Sequence, residues 1–128
     1  NGARLEKEWK ELVKRYEKEF PDLGRTLKET RTGQLPAGWE KSLPKFDNVE
    51  AKATRAYSGE VINAIAGAIP QLIGGSGDLT PSNNTYIKSS LDFEPGRYAN
   101  RNIHFGIREH AMGSTMNGMA LYGSLIPL

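Results

Sequence analysis

Leu5, Trp9, Leu12, Val13, Tyr16 and Phe20 follow one another at helical spacings, so the apolar residues of the first segment share one face while Glu and Lys fill the others. Pro21 ends this predicted helix. Such a stripe docks a surface helix onto a core and is no cofactor-binding pattern. Residues 32–52 lose the periodicity and carry Pro36, Gly38, Trp39 and Pro44, which predicts an extended connector pinned to a surface by Trp39 and Phe46. A boundary near residue 52 follows. From Tyr57 the pattern is that of an α/β unit. Ser58 can cap a helix carrying Val61, Ile62, Ile65 and Ile69 that Pro70 closes. Leu72-Ile73-Gly74-Gly75 predicts a short buried strand entering a glycine loop, and Ile103, Phe105 and Ile107, alternating with Asn102, His104 and Gly106, predict a second. Ala111, Met112, Thr115, Met116, Met119 and Ala120 form the face of a further helix, and the apolar run ending at Leu128 reads as another strand beginning. The expected fold class is α/β, a partial, mostly parallel sheet flanked by helices, with its remaining strands supplied from elsewhere.

Charge and composition narrow the picture. Residues 1–31 hold most of the Lys, Glu and Arg, whereas residues 56–86 are almost uncharged, so the two segments occupy different environments. The net charge is +2, and no stripe of Lys or Arg with interleaved aromatics lies beyond the first helix, which gives no case for nucleic acid. With no cysteine, disulfides, thiolate metal sites and cysteine nucleophiles are excluded. No apolar run approaches the roughly 18 residues that span a bilayer, so a soluble protein with no membrane partner is expected. A chain of 128 residues makes one small domain and is short for a complete metabolic enzyme. It opens on Asn1-Gly2 and ends inside an apolar run, as a piece of a longer protein would.

Two stretches can carry chemistry. The first runs Gly74-Gly75-Ser76-Gly77-Asp78-Leu79-Thr80-Pro81-Ser82-Asn83-Asn84, whose glycines permit the close backbone approach of ligand-cradling turns. It lacks the Gly-Lys-Ser/Thr of a Walker loop and the third glycine of a dinucleotide fingerprint. Asp78 and Ser82 are either helix caps of an ordinary turn or part of a ligand site, since loops at the carboxyl ends of parallel strands are where α/β sheets bind ligands. The second is Gly106-Ile107-Arg108-Glu109-His110-Ala111-Met112-Gly113, a strand passing into a helix with a carboxylate in its first turn. Glu109 either complements the helix dipole or, because small and apolar residues follow it, is a buried acid that needs a partner and whose pKa burial would raise. His104, His110 and Glu109 lack any metal-ligand spacing, and no Gly-x-Ser-x-Gly elbow supports a serine nucleophile.

Ala53-Thr54-Arg55, the Gly74–Asn83 stretch and the Gly106–Gly113 stretch, taken in that order, resemble the transketolase family. Gly33-Gln34-Leu35-Pro36 with Gly38-Trp39 is similar to the connector between that family's diphosphate-binding and pyrimidine-binding domains. The resemblance implies that residues 1–31 are the C-terminal helix of the preceding diphosphate-binding domain. Residues 32–52 are then the extended connector, and residues 53–128 the N-terminal half of the pyrimidine-binding domain. It further implies transfer of a two-carbon ketol unit from a ketose phosphate to an aldose phosphate, with thiamine diphosphate and Mg²⁺ or Ca²⁺. By position, Glu109 resembles the glutamate that hydrogen-bonds N1′ of the aminopyrimidine. That contact promotes the imino tautomer, whose nitrogen removes the thiazolium C2 proton to form the ylid. Asp78 matches a residue beside the thiazolium and bound substrate, and Arg55 and Ser82 match residues that bind the sugar phosphate.

Gly77 stands where many members of the family have alanine. The family's Gly-Asp-Gly motif with its downstream asparagine, which holds the metal and diphosphate, is absent, so no metal ligand is expected here. So are the aromatics that stack on the pyrimidine and the histidines of the substrate channel. Because the family's active site forms between two subunits, the full-length protein is expected to be a homodimer, located in the cytoplasm or, alternatively, a plastid. The 128 residues alone are expected to bind no thiamine diphosphate tightly and to catalyse nothing. The related alternatives are dihydroxyacetone synthase, with formaldehyde as acceptor, and a non-catalytic interaction module of the same fold. Retention of Glu109, Asp78, Arg55 and Ser82 together argues against the module.

Overall fold

The computed structural model describes residues 1–47 and 50–128. The amphipathic segment forms α1 (Gly2–Glu19), and Pro21 ends it by opening a second helix, α2 (Pro21–Arg31). The first helix ends where Pro21 predicts, and residues 1–31 are two helices folded against each other. Proline explains the break and the restart alike, because it cannot continue one helix yet suits the first turn of the next. Gly24 permits the close crossing, since a Cβ there would stand 2.8 Å from the Cα of Glu17. The Arg31 guanidinium covers the Trp9 ring at 5.8 Å. Leu5, Trp9 and Leu12 nevertheless remain about half exposed, at 55%, 47% and 48%.

The connector is fastened down. A single 3₁₀ turn, Trp39–Ser42, seats Trp39 against the core, and Phe46 meets Tyr57 edge to face at 4.9 Å. Lys52 lies over the Tyr57 ring at 4.4 Å and pairs with Glu60, while the Tyr57 hydroxyl donates to the Glu50 carbonyl at 2.6 Å. Tyr57 and Glu60 belong to α3 (Thr54–Ile65), which begins four residues before Ser58. Ser58 is thus an exposed residue inside the helix, not its cap; Thr54, Arg55 and Ala56 extend the helix back to Ala53. At the other end the helix stops at Ile65, and Ile69 reaches the core from the turn that follows.

Three parallel strands make the sheet, in the order β2 (Asn102–His104), β1 (Leu72–Ser76), β3 (Ile126–Pro127). Gly74 is in register with Asn102, and Leu72 with Ile126. The crossover from β1 to β2 contains the short α4 (Thr80–Asn83), and that from β2 to β3 contains α5 (Glu109–Tyr122). The second strand is shorter than its alternation predicts, because Gly106 at φ +69° turns the chain toward α5 and leaves Ile107 81% exposed. Ala66, Ile69, Leu72 and Ile87 form the core, with Ile62, Ile65, Ile126 and Leu128 packed on it. As the central strand, β1 has backbone on both sides. A Cβ on Gly74 would overlap the carbonyl oxygen of Leu128, and one on Gly75 that of Ile103. No helix among the described residues is long and apolar enough to cross a membrane.

Asn102 holds the long crossover in place. Its buried amide accepts from the Ile87 N–H at 2.8 Å and donates to the carbonyls of Ile87 and Ser90, each at 3.0 Å. Asn102→Ala in the full-length protein strands the Ile87 N–H without an acceptor, a local cost of about 2–3 kcal/mol. Faster hydrogen exchange at the Ile87 amide is the expected readout, and unchanged exchange there would contradict the clamp.

Candidate functional site

The two motif-bearing loops leave adjacent parallel strands at the same end of the sheet. Ser76 pairs with His104, and beyond that pair the Phe105 N–H donates to the Ser76 carbonyl at 3.2 Å. On one side the chain then passes through buried Gly77 to Asp78; on the other, through Gly106 to Glu109, the first residue of α5. The loops touch. A Cβ placed on Gly77 would stand 2.9 Å from the Gly106 carbonyl oxygen and 3.4 Å from Oε1 of Glu109. Glu109 therefore faces the glycine turn, and the absence of a side chain at Gly77 lets the two loops approach this closely.

The buried start expected for α5 is not found. Glu109 is exposed, and no residue of α5 is buried. The helix lies along β1 and β3, but nothing among the described residues covers its other faces, leaving Leu121 and Tyr122 88% and 79% exposed. Small apolar residues after Glu109 made burial plausible, yet burial needs a partner surface as well as an apolar face. The desolvation invoked for Glu109 is not supplied by these residues. Its position in the first helical turn also suits the helix dipole.

Asp78 is exposed and sits in the left-handed region at φ +62°. Ser82 is exposed in α4, and Arg55 is exposed in the first turn of α3. These last two elements pack together, since a Cβ on Gly59 of α3 would stand 2.7 Å from the Cβ of Asn84. The four residues thus come as two pairs: Asp78 and Glu109 from the loops of β1 and β2, Arg55 and Ser82 from α3 and α4. Among the described residues none of the four donates to or accepts from another side chain. Neither Asp78 nor Ser82 caps α4. Ser76 instead fastens the turn ahead of that helix: its Oγ accepts the Leu79 N–H at 2.9 Å and bonds the Thr80 hydroxyl at 3.0 Å. Sequence reasoning missed Ser76; the available signal was a lone hydroxyl at the end of an otherwise apolar strand. A cleft of about 590 Å³ between α3 and α4 is lined by Ala56, Asn63, Pro81, Tyr86 and Lys88 and by none of the four.

His104 finds a carboxylate. Its Nε2 lies 3.1 Å from Oδ1 of Asp92, which also accepts from the Tyr86 hydroxyl at 3.1 Å. The hydrogen bond from His104 holds the Asp92 carboxyl below its ordinary value, with burial opposing and Tyr86 assisting. Burial, and then Asp92, push the Tyr86 phenol up. Because the folded value of Asp92 is the lower one, its contribution to stability is complete above the ordinary carboxylate value of 3.8 and is lost as pH falls through the depressed value. Carboxyl ¹³C titration should place the Asp92 midpoint below that of an unpaired aspartate, and His104→Phe should move it back up. Among the described residues no three His, Asp or Glu side chains gather closely enough to hold a metal ion.

A parallel α/β unit that brings a glycine turn and a helix-opening carboxylate together at the carboxyl ends of neighbouring strands belongs to the class of ligand-binding α/β domains. Residues 50–128 match the family described as the transketolase pyrimidine-binding domain, and the chain belongs to that family. It is 52% identical over 124 residues to the transketolase of Geobacillus stearothermophilus, covering 97% of this chain and 19% of that protein. Its identity to transketolase 1 of Saccharomyces cerevisiae is 46% over 129 residues, again with 19% of the relative covered. Among solved structures, the Pichia stipitis transketolase in complex with sedoheptulose 7-phosphate aligns with a TM-score of 0.90 at 41% identity, over 95% of this chain and 19% of that one. The Leishmania mexicana transketolase also gives 0.90, at 40% identity over 98% of this chain and 19% of that one. The chain thus spans about a fifth of the length of the relatives it matches.

Proposed function

We propose that this chain is part of a transketolase that moves a two-carbon ketol unit from a ketose phosphate to an aldose phosphate, acting as a full-length homodimer. The observation that carries the reading is the Glu109 carboxylate set against the glycine turn at Gly77, where the loops of two adjacent strands meet. An exposed acid at the mouth of that turn fits a ligand whose ring nitrogen shares a hydrogen bond with it. Thiamine diphosphate, when bound, supplies a carbon nucleophile that its own aminopyrimidine helps to generate. Glu109 holds the pyrimidine at N1′ and shares a proton there. Asp78 stands at the thiazolium and bound substrate. Arg55, with a guanidinium fork, and Ser82, with a hydroxyl, take the sugar phosphate from the packed pair α3 and α4.

The diphosphate and its metal, Mg²⁺ or Ca²⁺, are held by residues outside this chain. In the proposed dimer the uncovered face of α5 that carries Leu121 and Tyr122 is covered by other parts of the assembly. The packing of α1 on α2 alone supports assigning residues 1–31 to the end of a diphosphate-binding domain, with 32–52 the connector and 53–128 the opening of the pyrimidine-binding domain. We place the protein in the cytoplasm, with a plastid the alternative. The relatives described above are transketolases, which favours this reading over dihydroxyacetone synthase or a non-catalytic module. The test is ketol transfer from xylulose 5-phosphate to ribose 5-phosphate by the full-length protein. Transfer that depends on added thiamine diphosphate is expected, and a folded, cofactor-saturated protein without it would refute the reading.

A further inference from the structure

Ser76 is a buried hydroxyl that the roles above leave unused; it is 4% exposed at the end of the central strand. Its backbone and its side chain point two ways. The carbonyl accepts from Phe105, at the root of the loop that leads to Glu109. The Oγ sits inside the turn that leads to Asp78, accepting from Leu79 at 2.9 Å and bonding Thr80 at 3.0 Å. Between those contacts Asp78 adopts φ +62°, and at the far end of α4 Asn84 adopts φ +58°. Asp and Asn tolerate the left-handed region better than other side chains, and the contacts on either side select the turn they make. Asn84 is held by its seat on Gly59, and Asp78 by the Ser76 hydroxyl. The segment that carries both Asp78 and Ser82 is thus clamped at each end, and the clamp at the Asp78 end belongs to the residue that also ties the two loops together.

We propose that Ser76 is a positioning residue, whose hydroxyl holds Asp78 and, through α4, Ser82 in register with Glu109. The inference rests on the transketolase reading. A purely structural hydroxyl would change stability and leave the folded enzyme's kinetics alone, so the two roles separate by measurement.

The experiment uses the full-length enzyme as wild type, Ser76→Ala and Ser76→Thr. Ketol transfer is followed with a phosphorylated ketose, alongside hydrogen exchange of the segment 77–84 in the cofactor-free protein and thermal unfolding. Ser76→Ala should speed exchange at the Leu79 amide and lower kcat/KM by roughly 10–100-fold, the usual penalty for misplacing reacting groups by about an ångström. Ser76→Thr, which keeps the hydroxyl, should restore most of both. Should Ser76→Ala fail to fold, Thr80→Val removes the other hydroxyl of the pair from the less buried side; a smaller loss with the same faster exchange is expected. The proposal is overturned if kcat/KM in Ser76→Ala, or in Thr80→Val when that variant replaces it, stays within about twofold of wild type. It is equally overturned if activity is lost only in proportion to the unfolded fraction, or if threonine restores nothing. A wild-type enzyme that is folded and cofactor-saturated yet transfers no ketol group sinks the transketolase reading instead, before any variant is compared.

Discussion

Glu109→Gln in the full-length enzyme lowers kcat by roughly 10²–10⁴-fold, the range lost when a positioned acid–base group is removed. The substitution keeps the size and reach of the side chain and removes its charge and its ability to exchange a proton. KM for the sugar phosphates should move little, because Arg55 and Ser82, proposed to bind them, lie on other elements. Stability should move little as well. Glu109 is exposed and hydrogen-bonds no other described side chain, so the expected loss is confined to its interaction with the α5 dipole, about 0.5 kcal/mol. An effect of that size cannot account for a hundredfold drop in turnover. Steady-state kinetics at limiting thiamine diphosphate, with a melting curve for each protein, separates the possibilities. Unchanged turnover would remove Glu109 from the chemistry.

Gly75→Ala should destabilise the full-length protein by at least about 3 kcal/mol, the upper end for overpacking a well-filled interior. The added methyl group would overlap the Ile103 carbonyl, and the obstacle is backbone in a paired strand. No rotamer change relieves it. Relief requires β1 and β2 to separate, which breaks the pairs Gly74–Asn102 and Ser76–His104 and with them the junction of the glycine turn and Glu109. Gly74→Ala meets the Leu128 carbonyl on the other side and should behave alike. Gly67→Ala is the contrast, since nothing lies within 4 Å of a Cβ there, and its effect should stay within about 0.5 kcal/mol. Chemical denaturation of the three variants measures the order. Equal stability of Gly75→Ala and Gly67→Ala would mean that the close strand approach is relieved at no cost.

Much of the architecture was legible along the chain because it depends on neighbours in sequence. The stripe from Leu5 to Phe20 needs only the 3.6-residue period to become α1, and Pro21 needs only its ring to end it. Trp39 and Phe46, large aromatics in an aperiodic stretch, pointed to an anchored connector, and both have apolar partners. Two of the misreadings share one cause. Ser58 has the chemistry of a cap, but Thr54, Arg55 and Ala56 are already helical ahead of it. Ile103, Phe105 and Ile107 alternate as a strand does, yet Gly106 turns the chain before the third of them can pair. In both cases a local preference was real and a competing local feature prevailed.

The order of residues determined the periodic helices, the glycine-rich central strand, the lack of thiol chemistry and the two motifs that bear the family likeness. All of these are set by side-chain type and spacing over a few residues. Only the folded chain decided that Gly77 and Glu109 meet, that Ser76 rather than Asp78 or Ser82 holds the turn, and that α5 stands uncovered. Contacts between distant residues depend on how two crossovers close and which strands they set side by side. Burial depends on a second surface, which an apolar face can invite but cannot provide.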